Sequence, residues 1–326
     1  MTTLGSSLTP MLKNYIVLAH KNPAQLARLI TRLDDGNSKF YLHIDGNSRL
    51  EDFEDITNNK CVVSLKARIK CAWGDFSLVA ATLLGMAEII AEGRGGYTIL
   101  LSGQDYPLRS NSAINDYLER NDGVDFIDCR PIHDVWPDGY EDRVDSYRFM
   151  LSKERGDGIT LPYILSRKYL NPVYVLNIVK RLLKHRVGGE RLVTIFSVIL
   201  KKRKKPSMNW YGGSQWFALS QRTLAMVYDF HLAHPEYSEY HRFTQVPDEI
   251  FFQTIVMKLK DEDSTIRVAP STTYVNWSRR NVPLPVTFTR SDLSELESLG
   301  DGYLFARKFD TEVCSEILNV LDRTAG

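Results

Sequence analysis

Apolar β-branched runs alternate with amphipathic segments through the first third of the chain, and that alternation leaves few folds open. "NYIVLAHK" is short, apolar and bounded by polar residues, the pattern of a buried strand. "NPAQLARLITRLDD" follows, with Leu26, Leu29, Ile30 and Leu33 at helical spacing and Asn22-Pro23 as a start signal. "KFYLHIDG", "CVVSL", "YTILLSGQDYP" and "VDFIDC" repeat the strand pattern. "SLVAATLLGMAEIIAEG" repeats the helical one and closes at Gly93, and "SNSAINDYLERND" does so with Ser110 or Ser112 as its cap. Strands alternating with helices predict an α/β fold, a mostly parallel central sheet flanked by helices. Ligands of such sheets sit beyond the carboxyl ends of the strands, which points to His20, Asp45, Trp73 and the "SGQDYP" turn.

The pattern breaks between Arg130 and Lys205. "RPIHDVWPDGYEDRVDSYRFM" is polar and aromatic and reads as an excursion from the sheet. In residues 166–205 twelve Lys/Arg face one acid, Glu190, so this stretch carries +11 and the rest of the chain −10, given an overall charge of +1. Two readings stand: a solvated basic helix pair, or a surface drawn to anionic lipid headgroups or a lipid-linked acceptor. Nucleic acid is disfavoured, because the apolar runs here are aliphatic and no stacking aromatics accompany the charge. Regular structure resumes at Trp210 with "WYGGSQWFALS", "QRTLAMVYDFHLAH" and "PDEIFFQTIVMKL". The expectation is one domain over 1–326, with a helical and irregular basic insertion at 130–205.

At 326 residues and 43% hydrophobic, the chain can build its core without disulfides or metals. Cys61, Cys71, Cys129 and Cys314 show no C-x-x-C pair and no zinc spacing, and read as reduced, buried thiols of an intracellular protein. "MTTLGSSLTPMLKNYIVLAHKN" lacks the basic start and long apolar stretch of a signal peptide, and no window approaches the roughly 20 apolar residues of a spanning helix. Cytoplasm is the expected location. There is no G-x-S-x-G, H-E-x-x-H, Walker A or G-x-G-x-x-G, so serine hydrolases, zinc proteases, P-loop NTPases and dinucleotide enzymes lose support.

The remaining motifs fall in a specific order. "YIVLAHKNPAQLARLITRL", "YLHIDGNS", "LLSGQDYPLRSN", "GGSQWFALSQRTLAMVYDF", "VPDEIFFQTI", "YVNW" and "LFARKFD" together resemble the core-2/I-branching glycosyltransferase family, which includes the peptide xylosyltransferases. Residues 130–205 match it least. The resemblance implies a GT-A-like fold, a UDP-sugar donor, a glycan or lipid-linked glycan acceptor, inversion at the anomeric carbon and no metal or other cofactor. The chain indeed lacks the usual Asp-x-Asp motif near its early strands. GlcNAc is the expected sugar, with xylose the alternative. A catalytically silent member that binds carbohydrate or nucleotide is a further alternative. Animal members are Golgi-anchored and disulfide-bonded. This chain suits instead a bacterial cytoplasmic enzyme of cell-surface or exported polysaccharide synthesis, with peripheral contact at the inner membrane face through 166–205.

Carried onto this sequence, the resemblance makes Glu249 the general base. Adjacent Asp248 suits a helix cap, its short side chain reaching nearby N–H groups. Lys308 matches the family's diphosphate-binding Lys, with Arg307 beside it. The family's upstream Arg falls among Arg290, Arg279 and Arg280, with Arg290 preferred. Asp45 would meet the uracil edge, with His20 near the same strand ends. Trp73 and Trp277 would stack on sugar faces, and Asp105, Glu141, Arg143, Tyr147 and Trp277 would touch acceptor.

Overall fold

Seven strands form the central sheet in the computed structural model, which describes residues 11–152 and 154–324. They are β1 (Lys13–Ala19), β2 (Ser38–Ile44), β3 (Val62–Ser64), β4 (Tyr97–Ser102), β5 (Val124–Ile127), β6 (Phe217–Ser220) and β7 (Arg267–Ala269). Their order across the sheet is β7-β5-β6-β4-β1-β2-β3. All run the same way except β6, which is antiparallel to both neighbours. The chain thus adopts the α/β class its sequence predicts. Residues 1–10, part of the opening stretch read above as lacking a leader, lie outside the described residues. No helix among the described residues is long and apolar enough to cross a membrane.

Both faces of the sheet are covered, and the strand sequences show why. Side chains alternate across a strand, so Tyr15, Val17 and Ala19 of β1 join one apolar cluster while Ile16 and Leu18 join the other. Helix α1 (Pro23–Leu33) seats Leu26, Leu29, Ile30 and Leu33 on the first face. Helix α2 (Ser77–Ala91) seats Val79, Leu83 and Met86 on the second. The Asn22 side chain accepts from the Gln25 N–H to start α1, and Ser110, not Ser112, caps α3 (Asn111–Arg120).

The central excursion leaves and returns at one place, where Arg130–Pro131 pairs antiparallel with Tyr211–Gly212. Inside it, Tyr147–Met150 and Gly158–Leu161 form a hairpin. Helices α4 (Pro172–Lys184) and α5 (Gly189–Ile199) pack on this hairpin around a small separate core that includes Tyr147, Ile159, Leu161, Ile195 and Ile199. Helices α6 (Gln221–Ala233) and α7 (Phe251–Glu262) then complete the second face with Leu224, Val227, Phe252 and Ile255. A three-stranded side sheet joins Asp105–Pro107, Thr273–Val275 and Phe305–Arg307, and its register sets Asp105 opposite Arg307.

Candidate active site

The chain fills β2 and β3 on one side of β1 before crossing to β4 on the other, so a crevice opens where the ends of β1 and β4 diverge. The register places Ala19 beside Ile44 and Leu18 beside Ser102, which gathers His20, Asp45 and Ser102 at one edge. Because β6 is antiparallel, its start arrives at this edge, bringing Ser214, Gln215 and Trp216. The cavity there has a volume of about 410 Å³, and Glu249, Arg307 and Lys308 also line it.

Glu249 stands in a one-turn 3-10 helix, Pro247–Glu249, before α7. Val246 precedes it with φ 54°, a left-handed conformation that costs a β-branched residue on the order of 1–3 kcal/mol. The Val246 N–H donates to the Gly74 carbonyl at 3.1 Å, and the Gly213 N–H donates to the Glu249 carbonyl at 3.0 Å. A Cβ on Gly213 would lie 1.9 Å from the Asp128 carbonyl oxygen. Gly213 therefore permits a close approach to the Asp128 backbone, and from that position its N–H holds the Glu249 carbonyl. Burial pushes the Glu249 carboxyl up to about 7, against the pull of Arg143 and then Arg155.

Asp248 does not cap α7. The Val246 turn and Pro247 delay the helix to Phe251, which starts without a side-chain cap. Asp248 instead lines the cavity at 4% exposure, and its Oδ1 has no hydrogen-bond partner among the described residues. Burial, and then the charge of Glu249, push its carboxyl well above the usual carboxylate range.

Three cations also line the cavity: Arg307, Lys308 and Arg155. The Arg307 guanidinium donates to Ser102 Oγ at 2.7 Å and Asp105 Oδ1 at 2.9 Å, and lies 4.2 Å from the Trp216 ring centroid. Lys308 follows it, its ammonium pushed down by burial and by the neighbouring Arg307, Arg155 and Lys21. Arg155, which sequence reasoning missed, reaches the cavity from the hairpin loop and lies 4.5 Å from the Trp73 ring and 5.7 Å from Trp277. Trp73 and Trp277 are 40% and 49% exposed, so both are rim residues rather than core. Gln104, in the "SGQDYP" turn, lines the cavity too.

The remaining candidates divide sharply. Asp45 lines the cavity, and its side-chain hydrogen bonds, from Asn47 and the Cys71 N–H, all fall on Oδ1. His20 lines it too, its imidazole held below the ordinary range by burial and Lys21, hence neutral at pH 7. Asp105 is no acceptor contact: it is fully buried behind Arg307, accepting also from the Ser102 N–H at 2.7 Å and Ser102 Oγ at 3.0 Å. Arg290 sits outside the cavity, 70% exposed and 3.3 Å from Glu316. Arg279 is held by Asp292 and Glu295, and Arg280 is exposed outside the cavity lining. Glu141 is exposed away from the cavity, and Tyr147 is spent in the small core of the excursion. Arg143 does not line the cavity either; it lies 4.2 Å from the Trp136 ring centroid and acts on Glu249 through its charge. The four cysteines are free and half-buried, and Cys71 lines the cavity. Among the described residues, no three His, Cys, Asp or Glu side chains are grouped to hold a metal ion.

A mostly parallel seven-stranded sheet flanked by helices, with its cavity beyond the ends of β1, β2 and β4, defines a GT-A-like α/β protein. More narrowly, the chain belongs to the Core-2/I-Branching enzyme family, whose profile matches residues 14–153 and 174–298. It is 24% identical to xylosyltransferase 2 of Canis lupus familiaris over 94% of this chain and 33% of that protein. Identity to xylosyltransferase 1 of Homo sapiens is 20% over 94% of this chain and 30% of that one. A xylosyltransferase of Ciona intestinalis is 23% identical over 98% of this chain and 35% of its own. The chain thus spans about a third of the length of the curated relatives it matches.

Proposed function

We propose that this protein is an inverting glycosyltransferase that moves a sugar from a UDP-sugar to an acceptor hydroxyl. The observation that carries the reading is a raised carboxyl, Glu249, lining one cavity with Arg307, Lys308 and Arg155 in a chain of this family. Glu249 takes the acceptor proton. The acceptor oxygen then bonds to the anomeric carbon as the bond to the diphosphate breaks, and UDP leaves with the charge the three cations meet. Asp248 is the less suited base, because burial and then the charge of Glu249 disfavour its ionised form. The free side of Asp45 receives the uracil, and the exposed rings of Trp73 and Trp277 offer flat apolar surfaces for sugars.

Three positive side chains supply the charge that a divalent ion would otherwise bring, so the reaction runs without metal. Between the two donors weighed above, the relatives' names favour xylose over GlcNAc. Incubation with each UDP-sugar, with and without EDTA, tests both points by the UDP set free. We expect release from UDP-xylose at a rate EDTA does not change. Release from UDP-GlcNAc alone would reverse the donor. EDTA inhibition relieved by Mn²⁺ would contradict the cation scheme. UDP binding without release from any UDP-sugar would mark a silent member.

A further inference from the structure

Helices α4 and α5 are apolar on two sides, and the protein buries only one. Ile178 and Leu182 of α4, with Ile195 and Ile199 of α5, pack into the core beside the hairpin. Val173, Leu176, Val179 and Leu183 of α4 are exposed, Leu183 by 72%. So are Val193 and Phe196 of α5 and Leu200 just beyond it. Steps of three and four residues put each set on one helix face. Of sixteen large hydrophobics exposed among the described residues, nine fall within 165–200, so this is one patch rather than scattered surface leucines.

Charge indicates what covers the patch. Residues 166–205 carry +11. The ion pairs of this region engage Lys168, Arg181 and Lys205, while Lys180, Lys184, Lys201 and Lys202 are exposed beside the apolar face. A second copy docked face to face would set this charge against itself. Aliphatic side chains among flexible cationic ones match instead a surface with anionic headgroups above acyl chains. We propose that the 165–205 face docks on an anionic lipid bilayer. The core beneath the helix pair includes the hairpin whose loop carries Arg155 to the cavity, so the docked element and the cavity wall are joined directly.

Co-sedimentation with vesicles of phosphatidylcholine containing about one-third phosphatidylglycerol tests the proposal. The protein should bind these at low salt, ignore pure phosphatidylcholine, and come off as NaCl rises toward about 0.5 M. Leu176→Glu with Leu183→Glu and Phe196→Glu should lower binding at least about tenfold, and so should Lys180→Gln, Lys184→Gln, Lys201→Gln and Lys202→Gln together. All these positions are exposed, so Tm should not move in either variant. Equal binding to neutral vesicles, or no binding to anionic ones, would overturn the proposal. So would self-association of the wild type, seen by light scattering and abolished by Leu176→Glu, which would make the face a contact between copies.

Discussion

Replacing Glu249 with Gln should lower kcat by about 10²–10⁴, the usual cost of a lost general base, without weakening UDP binding. The substitution keeps the side chain's size and leaves the backbone contact from Gly213 in place. It removes only the carboxylate proposed to accept the proton. Fold integrity has its own readout, with a definite sign. The folded Glu249 carboxyl titrates at about 7 against an ordinary 4.5, so the folded state holds this proton more tightly than the unfolded one. Its contribution to stability is full below about pH 4.5 and is lost as pH rises through about 7. Gln removes that loss. The variant should therefore melt no lower than wild type at pH 5, and higher at pH 8. Near-normal turnover in Glu249→Gln would remove the base from the mechanism.

Arg307→Gln should be the second most damaging change, and for two separable reasons. Loss of one charge proposed to meet the diphosphate should cost about 10²–10³ in turnover, the scale of one lost transition-state donor. The same change strands Asp105, which is 0% exposed, without its cation. Breaking a buried pair from one side costs about 3–5 kcal/mol of stability. Adding Asp105→Asn removes the orphaned charge, so the double variant should recover most of the lost Tm and none of the lost turnover. Recovery of both would make Arg307 a structural residue only.

How much of this was legible beforehand differs by distance along the chain. The alternation over residues 13–127 announced strands and helices because their periods depend on local burial, and β1, β2 and β4 lie where the apolar runs are. Strand-end residues such as His20 and Asp45 followed from topology alone. The glycine pair at Gly212 and Gly213 was legible as a close approach, but its neighbours were not: Gly213 lies against the Asp128 carbonyl, and the return of residues 247–249 brings the Glu249 carbonyl to its N–H.

What failed depended on tertiary pairing. Arg290, Arg279 and Arg280 look alike in sequence, and none of them lines the cavity; Arg307, beside Lys308, does, held by the side-sheet register opposite Asp105. Asp105 was expected to touch acceptor because its burial comes from a strand about 200 residues later, Phe305–Arg307. Asp248 looked like a cap because nothing local shows that Val246 takes a left-handed turn. Arg155 lies in residues 154–173, which the family profile does not match, and only the hairpin fold carries it to the cavity.

The pH dependence of kcat/KM, taken from about pH 5 to about 9 on the donor that the wild type turns over, tests the choice of base most directly. Only the ionised carboxylate accepts a proton, so the wild-type rate should rise with pH and level off above an apparent pKa of about 7. His20, already held below the ordinary imidazole range, would titrate lower and is kept in both proteins. The residual activity of Glu249→Gln should show no rise near pH 7. An unchanged limb near pH 7 in that variant would assign the proton to another group and contradict Glu249 as the base.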